Sequence, residues 1–239
     1  MTHSIFPFAA LALLASLSAG DAAWPKSDKP SETELRRSVL EYAMCVVKSK
    51  HKQASDAILF TGDDGESVRD FAGSTPHCLP SDAITMGFGG DLYRYTLAEA
   101  LIGAEFTTSG PGDFSDRPPL KHPSPMTKAQ FDASVAAAAS SKRRAFLEDV
   151  YEKQKAVNFL SRYGECVARE DPQNTRNLIL ARPGSVEEIK QIEVLRPAFS
   201  VCLEPETLAF SRATMRGTLA LNYYRLAHAT AQLRSLKAN

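Results

Sequence analysis

Apolar positions along this chain recur mostly at helical spacing. Leu35, Val39, Tyr42 and Val46 follow one another at intervals of four, three and four, which lines one side of a helix with apolar groups. Ser31-Glu-Thr-Glu34 stands at its start as a capping box, in which the Ser oxygen and the Glu carboxylate satisfy N–H groups that a first turn leaves open. A short second helix is expected near Gln53–Phe60, one or two turns around Gly65–Phe71, and a further helix over Leu92–Ala104. The same stripe returns as Ala156, Leu160, Tyr163 and Val167 within Lys142–Val167. Asp171-Pro172 then supplies an N-cap and a favoured first residue for a helix over Pro172–Ala181. Ser185-Val-Glu-Glu188 is a second capping box, opening a helix through Leu195 that stops before Pro197. Met215, Leu219, Tyr223, Leu226, Ala229 and Leu233 mark a long helix over Arg212–Lys237. Only Asp82–Phe88 and Thr207–Phe210 suit an extended chain, and both are short. The pattern predicts an all-α fold.

One stretch breaks it. Thr107 to Pro125 (TTSGPGDFSDRPPLKHPSP) holds five prolines and two glycines, a composition that makes neither a helix nor a central strand. It reads as a linker or surface loop with few contacts, open to early proteolysis. Thr127–Ala139 follows as an extra helix, which Ser140-Ser141 either interrupts or lets run on.

The chain also matches itself. Tyr42-Ala-Met-Cys45-Val46 aligns with Tyr163-Gly-Glu-Cys166-Val167, and the register continues from Ala57-Ile58-Leu59 to Leu178-Ile179-Leu180. Across short length changes Cys78-Leu79 meets Cys202-Leu203, and Arg94-Tyr-Thr96-Leu97-Ala98 meets Arg216-Gly-Thr218-Leu219-Ala220. Serial matches of this kind indicate a tandem duplication of a unit of about four helices. The expected division is 1–20 signal peptide, 21–30 tail, 31–104 first repeat, 105–126 Pro/Gly-rich linker, and 127–239 extra helix with second repeat. Four cysteines permit three pairings. With one early and one late cysteine per copy, the repeat selects Cys45–Cys78 and Cys166–Cys202.

The compartment follows from the N-terminus. Ile5–Leu17 is apolar and short, and the small residues Ser18-Ala19-Gly20 follow it, as in a secretory signal peptide, although MTHS carries no Lys or Arg. Export to the periplasm or beyond the cell is expected, where an even set of cysteines forms disulfides. No later segment is apolar enough to hold the processed chain in a membrane. The formal charge is balanced, 28 Lys+Arg against 28 Asp+Glu, which argues against a general nucleic-acid binder. Hydrophobic residues make up 44% and charged residues 23%, which excludes wholesale disorder.

Catalytic signatures are missing: no G-x-S-x-G elbow, no Walker loop, no G-x-G-x-x-G before a helix and no H-E-x-x-H. No cofactor or metal is expected. Ser49-Lys-His-Lys52 fits S-x-x-K only formally and reads as a solvated helix end. Gly87-Phe-Gly89-Gly90-Asp91 reads as a turn with Asp91 as N-cap, rather than as an anion-binding nest. His51, His77, His122 and His228 lack counterparts across the repeat and read as surface or loop residues. The polar positions that do recur are Tyr42 and Tyr163, Arg94 and Arg216, and Thr96 and Thr218. The tyrosines lie on the apolar stripes and belong in the core. Arg94 and Arg216 are expected to be structural clamps, each on a carboxylate or several carbonyls of its own copy; the other reading makes them a pair of anion sites.

The Tyr-x-x-Cys-Val helix, the Pro183-Gly-Ser-Val-Glu-Glu188 helix start, the Cys-Leu pair and the Arg-x-Thr-Leu-Ala helix together resemble exported bacterial proteins with tandem two-cysteine helical repeats. In the first copy the helix start departs from that pattern, as Asp64-Gly-Glu-Ser-Val. No activity is established for such proteins, so the resemblance implies compartment and architecture alone. Two classes of function remain: a non-enzymatic helical binding or scaffold module with an envelope-protein or small-molecule partner, and an envelope enzyme such as a hydrolase with scattered residues. A deep pocket gathering His, Asp/Glu and Arg from both copies would favour the enzyme, and a shallow groove with apolar anchors the binder.

Overall fold

The structure, a computed structural model, describes residues 30–59, 75–79, 90–108, 110, 113–203 and 211–229. The apolar N-terminal segment, Gly65–Phe71, Asp82–Phe88 and Thr207–Phe210 lie outside these residues. Among the described residues there are eight α-helices, one 3-10 turn and no strand. The fold is all-α.

Helix α1 (Glu32–Leu59) begins on the expected capping box: Glu34 N–H donates to Ser31 Oγ at 3.3 Å and Ser31 N–H donates to Glu34 Oε2 at 2.7 Å. Lys50 has non-helical backbone angles (φ −142°, ψ 46°) and kinks the helix, so the two helices expected here are joined end to end. A 3-10 turn (Pro76–Cys78) precedes α2 (Gly90–Glu105). Thr127 caps α3 (Lys128–Ala136) through a capping box with Gln130. Ser140 caps α4 (Ser141–Glu170), so the serine pair does separate two helices. Asp171 caps α5 (Pro172–Leu180) and Ser185 caps α6 (Val186–Val194).

As expected, α6 stops before Pro197, with Leu195 as its C-cap; a separate helix, α7 (Arg196–Cys202), then starts with the proline in its first turn, where no N–H is needed. Helix α8 (Arg212–Ala227) is capped at His228, and the rest of the helix expected through Lys237 lies outside the described residues.

Ser31–Asn239 form one compact unit, so the two halves are not separate domains. Helix α8 explains why. It is buried nearly all round, from Arg216 to Tyr224. Ala220, Tyr223 and Tyr224 join a core with Val46, Ile58, Leu97 and Leu101 of α1 and α2, while Leu219 joins Tyr163, Val167, Leu178 and Leu195 of the second half. Gly217 allows the approach to α2, since a Cβ there would stand 2.4 Å from Tyr95 Cβ.

Both disulfides form within the halves: Cys45–Cys78 ties α1 to the 3-10 turn, and Cys166–Cys202 ties α4 to α7. Their sequence separations are 33 and 36 residues, for which chain-entropy arguments give about 3–4 kcal/mol each.

Candidate functional site

Helix α4 carries a polar stripe, Gln154, Asn158, Ser161, Glu165 and Arg169, at helical spacing along one side. The Pro-rich segment lies along that stripe as a strap, running from Phe114 beside Arg169 to Met126 beside Gln154. Proline has no N–H, so such a chain cannot pair as a strand, and its carbonyls need donors from elsewhere. Arg169 supplies three, to the carbonyls of Phe114 (2.6 Å), Arg117 (3.1 Å) and Pro118 (2.8 Å). Glu165 accepts the Leu120 N–H at 3.2 Å, Asn158 donates to the Pro123 carbonyl, and Gln154 accepts the Met126 N–H at 3.1 Å. Phe114 and Leu120 are buried in the core. The expectation of a linker with few contacts is therefore corrected: proline content rules out regular structure but does not prevent docking.

His122 is the strap's central contact. Its Nε2 lies 2.7 Å from Glu165 Oε2, and its Nδ1 lies 2.8 Å from Ser161 Oγ. Burial pushes the Glu165 carboxyl up, but hydrogen bonds from His122, Arg169 and the Leu120 N–H outweigh it and leave the group below the usual carboxylate range. An ionised carboxylate only accepts. In the neutral imidazole Nε2 therefore carries the proton, and the Nδ1 lone pair accepts the Ser161 hydroxyl. His122 is a loop residue, as expected, and the loop that carries it is docked on α4.

Ser161 also lines a small cleft between α2, α4 and α8, with a cavity volume of about 40 Å³. Arg94, Arg225, Thr218 and Asn222 share its wall. Gly164 brings α4 and α8 this close: a Cβ there would stand 2.6 Å from Thr218 Cγ2 and 2.8 Å from the Thr218 carbonyl oxygen. Thr218 is 1% exposed and Asn222 0%. Asn222 donates to the Thr218 carbonyl at 2.9 Å, yet the Thr218 hydroxyl and the Asn222 carbonyl oxygen have no hydrogen-bond partner among the described residues. Such groups are costly to bury unsatisfied. Arg225 also donates to the Lys121 carbonyl at 2.8 Å, so the strap closes one side of the cleft.

The recurrent arginines occupy different settings. Arg216, 1% exposed, donates to Glu99 (2.7 Å), Glu188 (3.2 Å) and the carbonyls of Leu178 (2.9 Å) and Ile179. Glu99 belongs to the first half, so its partners are not confined to its own copy. Glu188 also takes Arg36 of α1 and the N–H of Gly184 (2.7 Å). Gly184 sits at φ +74°, and a Cβ there would meet Thr33 Cγ2 at 2.3 Å. Arg94 is half-buried on the cleft instead of enclosed like Arg216. Tyr42 and Tyr163 are core residues, with the Tyr42 hydroxyl 3.1 Å from Thr75 Oγ1. Thr96 bonds back to the Leu92 carbonyl at 2.7 Å.

Two further histidines share one carboxylate. His51 and His228 approach opposite oxygens of Glu105 at 3.1 and 2.9 Å, and Tyr224 donates to it at 2.7 Å. Burial raises the Glu105 pKa, but the bonds from His228 and Tyr224 more than offset it and the net shift is downward. His77 lies beside Cys45 and Cys78 at metal-ligand distance, but both sulfurs are in a disulfide and offer no thiolate. Ser49 bonds to the Cys45 carbonyl and approaches His77 at 3.1 Å, while Lys52 pairs with Asp56 at 2.6 Å on the exposed helix face. Gly87 and Gly89 lie outside the described residues.

Sequence reasoning missed His122, Ser161, Glu165, Asn222 and Arg225. The available signal was the polar stripe of α4, which faces a segment unable to satisfy its own backbone. No protein-family profile, curated protein or solved structure matches the chain.

Proposed function

We propose that the chain is an exported helical binding module whose cleft between α2, α4 and α8 receives a compact anionic group. The observation that carries this is a concave surface combining the guanidinium groups of Arg94 and Arg225 with a buried Thr218 hydroxyl that has no partner among the described residues. Arginine suits carboxylate and phosphate, and a hydroxyl donor completes the set. A cavity of about 40 Å³ has room for roughly three waters at about 10–15 Å³ each. It therefore takes a head group, with the rest of the ligand outside.

Export to the periplasm or medium is supported by the apolar N-terminal run, the two disulfides and the lack of any described helix long and apolar enough to cross a membrane. The tandem duplication is part of the proposal, supported by the matched sequence blocks and by two disulfides that each close one half. The resemblance to exported two-cysteine repeat proteins supports the same compartment.

The test is a thermal melt of the processed, oxidised protein against acetate, phosphate and sulfate, with chloride at equal ionic strength as control. Occupancy at 100 times Kd adds about 2.7 kcal/mol, a rise of several degrees for a chain of this size. Arg225→Gln and Thr218→Val should each reduce the rise. Equal melting in all four salts refutes the reading.

A further inference from the structure

Ser161, His122 and Glu165 do more than fasten the strap. We propose that Ser161 is an acyl-accepting nucleophile, with His122 as its general base and Glu165 holding the imidazole in the tautomer that leaves Nδ1 open. The substrate class is a small ester whose acyl part carries a carboxylate. That anionic preference rests on the binding reading above; the nucleophile does not.

Three observations carry the assignment. The serine–imidazole contact is 2.8 Å and the imidazole–carboxylate contact 2.7 Å, the mutual geometry required of a nucleophile, its base and the group orienting the base. Glu165 is fixed by Arg169 and the Leu120 N–H, so the imidazole is held from behind. Ser161, 7% exposed, lines the cleft rather than the sealed core. A purely structural histidine needs partners on both nitrogens, but it does not need one of them to be a hydroxyl facing a cavity with cationic side chains.

The chemistry balances without any further reagent. Ser161 Oγ bonds to the acyl carbon as its proton passes to His122 Nδ1. The bond from acyl carbon to alcohol oxygen breaks, and the departing oxygen takes that proton. Water then gives its proton to Nδ1 and attacks the acyl-serine, and Ser161 leaves with the proton restored. The net change is ester plus water to acid plus alcohol. The amides of α4 are engaged in the helix, so oxyanion stabilisation falls to side chains, with the Thr218 hydroxyl the donor that has no other described partner. Catalysis without a backbone oxyanion hole is slow, so covalent labelling is the sharper readout than turnover.

The experiment treats the processed, disulfide-intact protein with a fluorophosphonate probe and maps the adduct by mass spectrometry. A single adduct on Ser161 is expected, and Ser161→Ala abolishes it. His122→Gln slows labelling by about 10²–10⁴-fold, the usual contribution of a positioned general base. If His122→Gln loses the wild-type circular dichroism spectrum, Ser161→Ala carries the test, since it removes only a hydroxyl. Hydrolysis of p-nitrophenyl acetate and of its monosuccinate counterpart should show preference for the charged ester, and Arg225→Gln should remove that preference. No adduct on Ser161, or equal labelling in a folded His122→Gln variant, overturns the proposal. Labelling without any anion-dependent melting shift leaves the nucleophile standing and removes the anion site; the shift without labelling does the reverse.

Discussion

Replacing Arg216 by Met tests how the halves are held together. The substitution keeps much of the side-chain volume and deletes the guanidinium, which is 1% exposed and bonded to Glu99, Glu188 and two carbonyls. Glu188 retains Arg36 and the Gly184 N–H. Among the bonds described here Glu99 has only Arg216, and the carbonyls of Leu178 and Ile179 lose a charged donor. Breaking a buried pair on one side costs about 3–5 kcal/mol, because the remaining charge is stranded. A chain of this size loses about 2–4 °C per kcal/mol, so the melting temperature should fall by about 6–20 °C. The assay is a melt followed by circular dichroism at 222 nm under non-reducing conditions. Adding Glu99→Gln to Arg216→Met should recover part of the loss, since a neutral amide is cheaper to leave unpaired. A fall below about 3 °C, or no recovery in the double variant, would refute the view that Arg216 neutralises a buried carboxylate across the halves.

Arg169→Met removes the donors to the carbonyls of Phe114, Arg117 and Pro118, so limited proteolysis with mapped cut sites should show faster cleavage within residues 113–126 than in wild type. Glu165 and Glu188 have depressed pKa values in the folded state; their stabilisation is present above the unfolded value of about 4.3 and lost as pH falls through the folded values. Melting temperature should hold from neutral pH to about pH 5 and drop below about pH 4, and Glu188→Gln should start lower and decline less steeply. Gly164→Ala places a methyl 2.8 Å from the Thr218 carbonyl oxygen, so overpacking of about 1–3 kcal/mol should outweigh the gain in helix propensity and lower the melting temperature. Removing the Cys166–Cys202 bond in the Cys166→Ala/Cys202→Ala variant should cost about 3–4 kcal/mol by urea denaturation.

What could be read from residues alone was local. The capping box at Ser31 names its own partner three residues on and forms both ways; at Ser185 the serine cap forms, but the Glu188 carboxylate takes the Gly184 N–H instead of the Ser185 N–H. The stripes through Tyr42 and Tyr163 mark the buried sides of α1 and α4, and the repeated cysteine order yields the disulfides. The unread part depends on neighbours distant in sequence. His122 meets Ser161 and Glu165 only because the strap docks antiparallel on α4, and nothing in the prolines announces that its carbonyls find Arg169. The kink at Lys50 has no Pro or Gly to signal it. Arg216 was legible as a clamp by its recurrence, but Glu99, 117 residues away, was not. Glycine at 164 breaks no pattern on the sequence level; its reason is the passage of α8 across α4.

The placement of the disulfides has a consequence for fragments. Each closes a loop inside its own half, so no covalent bond other than the main chain spans the two. A polypeptide divided at Gly110 gives an N-terminal piece with α1, the 3-10 turn and α2, and a C-terminal piece with α3 to α8. The pieces share the α1–α2–α8 core and the Arg216–Glu99 pair, which suits them to reassociate as a split protein. The C-terminal piece alone would carry His122, Ser161, Glu165, Thr218, Asn222 and Arg225, and the N-terminal piece would bring Arg94 and Tyr95 to the cleft. Complementation between separately expressed halves thereby becomes a means of switching the cleft's composition on and off without altering a single side chain.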